Sequence, residues 1–178
     1  MIYNSFKIVL LELHWISEEN TETDLCAHGQ VRVQIGDEIV VDQDDSGGWT
    51  VSAMALLLLR TLERDHTQEC PVGDQLVPCC GHFMVFQDDM EEVYMANCQN
   101  GVDWEVRHEN GVVKLKTKKG TQAFLAFEDY KKAVLVFVDQ VRQFYQDSPE
   151  KILPSDEFDR VAYVRFWEEW HGQRSKWV

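Results

Sequence analysis

The sequence predicts an α+β protein: a mainly antiparallel sheet, arranged as a meander, with about three helices, the last two C-terminal and packed on the sheet. Two observations support this class. Short segments with alternating apolar residues follow one another from residue 79 to residue 127, and turn-forming pairs such as Asn-Gly separate them. Two long segments with helical spacing come next. Strands grouped together and helices grouped at the end are typical of α+β folds, and short connections suffice for antiparallel strands.

The first part of the chain is predicted to form a strand and a hairpin. Residues 5–16, SFKIVLLELHWI, are apolar on both alternating faces, which favours a central strand covered on both sides. The polar residues 17–24 are expected to form a loop. Residues 31–41, VRVQIGDEIVV, alternate on either side of Gly36 and Asp37, and this pattern predicts a hairpin.

A helix is predicted over about residues 51–65, where apolar residues recur at helical spacing. Thr50 precedes it and is the expected N-cap residue. Residues 67–78 contain two prolines and a glycine, so a connecting loop is expected there. The strands of the meander then follow as CGHFMVF, EEVYMANC, DWEVRHE, VVKLKTK and QAFLAF.

The last third of the chain is predicted to contain two helices. In the first, FEDYKKAVLVFVDQVRQFY, one apolar stripe is formed by Phe127, Tyr130, Val134, Phe137, Val141 and Phe144. The second begins near Ser155, where an acidic first turn suits a helix N-terminus. Its apolar positions are Phe158, Val161, Ala162, Phe166, Trp167 and Trp170.

Composition and length indicate one globular domain, residues 1–178, because 44% of the residues are hydrophobic and 27% are charged. The N-terminus lacks the small-residue cleavage site of a secretory signal. The longest uninterrupted apolar run, residues 53–59, is far shorter than the roughly 20 residues of a membrane span. A cytoplasmic protein with five reduced cysteines is therefore expected.

Charge is distributed unevenly along the chain, whose net charge is −14. Residues 1–110 carry five Lys or Arg against 21 Asp or Glu, a balance of −16. Such a surface repels nucleic acid and anionic membranes and attracts a basic protein, although acidity also serves solubility alone. The candidate partner-binding residues lie on two acidic turns and are Asp42, Asp44, Asp45, Asp88, Asp89, Glu91 and Glu92. Trp49, Tyr94 and Trp104 are candidate aromatic anchors or, alternatively, core residues.

Cysteine and histidine recur at two-residue spacing in two places. Residues two apart in a strand share a face, so Cys80 and His82 would point the same way. Cys26 and His28 have the same spacing, and the four side chains could form a tetrahedral zinc site, with Cys70 as a further possible member. The alternative is ordinary burial, because free cysteine is among the most buried residue types.

Catalytic motifs are missing from the sequence. It contains no Gly-x-Ser-x-Gly, His-Glu-x-x-His, P-loop or Gly-x-Gly-x-x-Gly pattern. Cys80 and His82 could act as thiolate and base, but nucleophilic catalysis also needs an orienting group that the sequence does not indicate. The sequence therefore predicts no catalytic residue, no enzyme activity and no cofactor other than the zinc that the four residues could hold.

Several stretches, SPEKILPSDEFDR, FWEEWH, CCGHFMVF and NGVDWEVRHENG, are similar to those of small bacterial cytosolic proteins. In size, acidity and absence of catalytic motifs the chain resembles immunity proteins, which neutralise polymorphic or contact-dependent toxins. The resemblance implies binding to a basic toxin domain, but it implies no site, because immunity proteins use many unrelated folds. The alternatives are a zinc-containing enzyme or regulator and a structural assembly component.

Overall fold

The first sheet of the protein, seen in a computed structural model that describes residues 5–19, 21–42, 48–80 and 83–177, has four antiparallel strands. They are β1 (Phe6–His14), β2 (His28–Ile35), β3 (Glu38–Val41) and β4 (Trp49–Thr50). β1 pairs with β2 along its whole length, whereas β3 and β4 pair with opposite ends of β2. The predicted hairpin is confirmed, and Gly36 at its turn has a φ of 62°, a conformation that favours glycine.

β1 is not the central strand that the sequence predicts. Within the described residues it pairs only with β2, and Val9 and Leu11 on its outer face are each 45% exposed. Phe6, by contrast, is buried in the core. The prediction was wrong because an apolar run shows that both faces are apolar without showing what covers them.

Helix α1 (Val51–Arg60) follows β4 directly, and all of its residues are buried. It is shorter than predicted, because the chain turns after Arg60 and the Thr61 hydroxyl donates to the carbonyl oxygen of Leu58. Thr50 occupies the N-cap position as predicted, but its side chain makes no capping hydrogen bond.

The predicted meander is divided into two sheets. β5 (Phe83–Val85) pairs with β6 (Tyr94–Ala96), and a separate sheet contains β7 (Trp104–Glu109), β8 (Val112–Thr117) and β9 (Gln122–Ala126). The division has a visible cause at β7. There His66 exchanges two backbone hydrogen bonds with Val106, of 2.8 and 2.9 Å. The loop after α1 thus occupies an edge of β7 that β6 would need.

Two C-terminal helices complete the α+β fold, as predicted: α2 (Phe127–Gln146) and α3 (Glu157–Ser175). α2 buries its apolar stripe and packs against α1 and β1, whereas α3 packs against β5 and α1. Asp156 caps α3 by accepting a hydrogen bond from the backbone N–H of Asp159 at 3.2 Å. None of the helices in the described part of the chain has the length and apolarity needed to span a membrane.

A bidentate ion pair joins α2 to α3 and predicts a dependence of stability on pH. Arg174 donates to both carboxylate oxygens of Asp139 at 2.9 and 2.8 Å, and these bonds lower the pKa of Asp139. Because the folded-state pKa is below the unfolded value of about 3.9, the stabilisation is present above that pH and is lost as pH falls further. The pair is partly exposed, so its contribution is about 1 kcal/mol or less.

We expect the Asp139→Asn variant to lose less stability than the wild type when pH is lowered from about 6 to about 3. Urea unfolding followed by circular dichroism at the two pH values measures the difference. Equal losses in the two proteins would contradict the prediction.

Candidate functional site

Three cysteine side chains, Cys79, Cys80 and Cys98, form a group that we call the thiol cluster. Their Sγ atoms all lie within 4.8 Å of one another, and all three thiols are free and partly buried. Within the described residues, no other set of three or more Cys, His, Asp or Glu side chains meets this criterion. Cys79 and Cys80 come shortly before β5 in the chain, whereas Cys98 follows β6.

The backbone holds the two segments of the thiol cluster together. Val77 and Val102 exchange two backbone hydrogen bonds of 2.9 Å each, next to the cluster in both segments. Gly101 permits this close approach, because a Cβ atom there would lie 2.7 Å from the carbonyl oxygen of Val77. The backbone N–H of Thr50 also donates to the carbonyl oxygen of Pro78 at 3.0 Å. The cluster therefore lies between segments that main-chain contacts already fix.

Two of the three thiols, Cys79 and Cys98, have pKa values shifted in opposite directions. Burial raises the pKa of Cys79 to about 11, and its hydrogen bond to Cys98 contributes to the rise. The pKa of Cys98 is lowered, because the backbone of Asn100 and the thiol of Cys80 form hydrogen bonds that favour its ionised form. Cys98 is thus more ready to ionise than Cys79.

The thiol cluster borders a cleft of about 800 Å³. Cys79 and Cys80 line it together with Gly48 and with residues of β1, β2 and the loop after β1. His14 and His28 lie in that wall with their rings stacked at a centroid distance of 6.3 Å, and Nδ1 of His14 lies 3.3 Å from a carboxylate oxygen of Glu12. The cleft therefore presents soft sulfur atoms together with imidazole and carboxylate groups.

Of the four zinc ligands that the sequence suggests, the structure describes three, and it does not bring these three together in one cluster. Cys80 belongs to the thiol cluster, and His28 lines the same cleft, where its Nε2 lies 3.5 Å from the Thr50 hydroxyl. Cys26 is outside the cluster, and burial raises its pKa to about 12, so its thiol stays protonated. His82 lies outside the described residues. Cys70, the further possible member, is exposed and also outside the cluster.

Sequence reasoning missed Cys79 and Cys98 as partners of Cys80. Strict strand alternation would turn Cys79 to the opposite face from Cys80, but neither residue lies in a strand, so the alternation does not apply to them. Cys98 is distant along the chain and had no spacing that linked it to Cys80. The signal that could have linked Cys98 to Cys80 was the pairing of β5 with β6, because it brings the residues that flank these strands together.

The seven acidic residues predicted to bind a partner differ in their surroundings: some pair with arginine, some are exposed, and two are not described. Asp42 accepts a hydrogen bond from Arg32 at 2.8 Å, and both oxygens of Glu92 accept hydrogen bonds from Arg64. Asp44 and Asp45 lie outside the described residues. The remaining three, Asp88, Asp89 and Glu91, are exposed on the connection between β5 and β6.

Two of the three candidate aromatic anchors are core residues. Trp49 and Trp104 are buried, whereas Tyr94 is exposed and its hydroxyl donates to Asp74 at 2.8 Å. Two other aromatic residues are exposed and adjacent: Phe83 is 53% exposed and Phe158 is 41% exposed, with ring centroids 6.4 Å apart.

An apolar strip follows the contact between β5 and α3. Phe83 lies beside Phe158, and the ring of Phe86 lies 4.6 Å from the guanidinium carbon of Arg165. Val161, on the same side of α3 as Phe158, is also exposed. Exposed carboxylates occur on the β5–β6 connection and at the start of α3. We call this region the hairpin–α3 surface, and its acidic members are Asp88, Asp89, Glu91, Asp156, Glu157 and Asp159.

Comparison with protein-family models, with curated protein sequences and with solved structures finds no match to this chain.

Proposed function

We propose that the protein binds a basic protein partner through the hairpin–α3 surface. The observation that carries the proposal is the exposed pair Phe83 and Phe158, together with exposed carboxylates on the β5–β6 connection and at the start of α3. Protein interfaces characteristically combine an aromatic or apolar centre with a polar rim, and the central aromatic residues dominate the binding energy.

The charges of this surface favour a partner rich in lysine and arginine. Of its two arginines, Arg165 forms an ion pair with Glu168 at 2.8 Å, whereas Arg160 donates to the carbonyl oxygen of Ser155 at 3.1 Å and keeps its positive charge. Because the six exposed carboxylates outnumber this one unpaired positive charge, the surface is negative. A basic partner would be drawn to it by long-range attraction, which raises the association rate.

The resemblance to immunity proteins suggests which kind of partner this is. The partner would be a basic toxin domain of a bacterial polymorphic or contact-dependent system, which the protein would bind in the cytoplasm. Such a domain has the positive charge that complements this surface. The excess of 16 negative charges over residues 1–110 supports the same choice of partner. On this proposal the protein has no catalytic task and acts by covering the toxin.

The first test asks whether the protein protects cells. Co-expression with the toxin-like product of a neighbouring gene is expected to restore growth, and the two purified proteins are expected to form a complex that salt weakens. Absence of both protection and a complex would rule out the proposal.

We expect Phe158→Ala to weaken partner binding about 30-fold, the effect of losing a contact worth roughly 2 kcal/mol. Asp88→Asn combined with Asp89→Asn is expected to slow association and to reduce its dependence on salt. Leu11→Ala is the matched control, because Leu11 is 45% exposed but lies on β1. Surface plasmon resonance at two salt concentrations measures both rates. If Phe158→Ala binds as tightly as Leu11→Ala, the interface lies elsewhere.

A further inference from the structure

The thiol cluster supports an inference that is independent of the proposed partner. We propose that Cys79, Cys80 and Cys98 together bind one zinc ion, with the fourth coordination position directed to the neighbouring cleft. The proposal rests on the meeting of three free sulfur atoms, on the backbone contacts that hold their two segments, and on the cleft that Cys79 and Cys80 line.

The distances suit a zinc ion. Zinc bound tetrahedrally to thiolates at about 2.3 Å places the sulfur atoms about 3.8 Å apart. The three Sγ atoms already lie within 4.8 Å of one another. Side-chain movements of about 1 Å therefore suffice to bring them to the separation that one zinc ion requires. The backbone need not move, which is consistent with the Val77–Val102 hydrogen bonds that fix both segments.

A disulfide explains the cluster less well. Adjacent residues joined by a trans peptide have Cα atoms about 3.8 Å apart, which is shorter than the roughly 4.4 Å minimum usual for disulfides. A bond between Cys79 and Cys80 is therefore disfavoured, and the chain contains no cis peptide among its described residues. A disulfide between Cys98 and either Cys79 or Cys80 would leave the remaining thiol unbonded beside it. One metal ion uses all three sulfur atoms.

The type and number of ligands indicate the metal and its accessibility. Thiolate ligands favour zinc over magnesium or calcium, which prefer oxygen. Structural zinc sites normally have four protein ligands, whereas sites with three keep a position for water or another ligand. Because Cys79 and Cys80 line the cleft, a molecule entering the cleft could reach that position.

Metal analysis of the reduced protein, purified without chelator, tests the site. About one zinc per chain is expected in the wild type and in Cys70→Ser and Cys26→Ser, whose thiols lie outside the cluster. Cys80→Ser and Cys98→Ser are expected to bind zinc at least 100-fold more weakly, since loss of even an outer partner of a metal ligand costs about 10- to 100-fold. A chromophoric chelator in competition gives the affinities.

A cobalt titration of the wild type keeps the test decisive if a serine variant fails to fold. Cobalt is expected to give the intense sulfur-to-metal charge-transfer absorption of several thiolate ligands, and zinc should remove it. Less than about 0.2 zinc per chain together with no such absorption would overturn the proposal. So would equal zinc affinity in a folded Cys98→Ser and in Cys70→Ser. Zinc binding that survives in Cys98→Ser but is lost in Cys26→Ser would point instead to the ligand set that the sequence suggested.

Discussion

Replacement of Glu169 by glutamine is expected to destabilise the protein by about 3 kcal/mol or more. Arg60 is the reason, because its side chain is only 4% exposed and Glu169 binds it through both carboxylate oxygens at 2.7 and 2.9 Å. A buried charge that loses its partner retains the cost of leaving water. Glu92, 3.7 Å away, would compensate only part of that loss, since Arg64 also binds it.

The interaction between Arg60 and Glu169 joins α1, α3 and the β5–β6 hairpin. Arg60 donates to the carbonyl oxygens of Val72 and Val93 at 2.8 and 2.7 Å. The backbone N–H of Val93 in turn donates to Glu169 at 3.0 Å. Glu169→Gln should therefore loosen the hairpin that carries Phe83, so we expect weaker partner binding as well as lower stability.

Urea unfolding at neutral pH measures the free energy of unfolding of Glu169→Gln. The matched control is Glu168→Gln, because Glu168 is the next residue of α3 and pairs with the exposed Arg165. Its expected loss is about 0.5 kcal/mol or less. The double variant Arg60→Met with Glu169→Leu should recover only part of the stability, because it removes the unpaired charge but also the hydrogen bonds to the backbone of Val72 and Val93. Equal losses in Glu168→Gln and Glu169→Gln would contradict the argument.

Replacement of Leu58 by alanine is expected to cost about 2 to 5 kcal/mol, the range for a leucine truncated in a core. Leu58 is fully buried in α1, a helix with no exposed side, which packs between β2, α2 and α3. Truncation removes apolar contacts and leaves a cavity that a surrounded helix cannot close by shifting. Alanine is the better helix former, so helix propensity cannot account for a loss.

Thermal and urea unfolding, followed by tryptophan fluorescence, check this prediction. Leu153→Ala is the matched control, because the same atoms are removed from a residue that is 46% exposed. Its expected change is within about 0.5 kcal/mol. If Leu58→Ala loses no more stability than Leu153→Ala, then α1 is not the centre of the core.

Features set by neighbouring residues were predictable. The hairpin at Gly36 and the buried stripe of α2 follow from local turn chemistry and from periodicity, and both are confirmed. Periodicity failed where coverage depends on distant segments. Val161 of α3 belongs to the predicted apolar arc but is exposed, and β1 lies at an edge.

The candidate sites show the same division. Cys80 and the acidic turn at Asp88 were identifiable from residue type, but their surroundings were not. Cys98 joins Cys80 only because β5 pairs with β6 and because Val77 pairs with Val102. Phe158 becomes a surface residue beside Phe83 only because α3 crosses the hairpin there.

By itself, the sequence determined the α+β class, the two C-terminal helices and the excess of negative charge, because these depend on composition and on residues close together in the chain. Only the tertiary structure decided which sulfur atoms meet and which aromatic residues stay exposed. Both depend on contacts between segments far apart in sequence, and the geometry of those contacts is fixed only when the sheets and helices pack together.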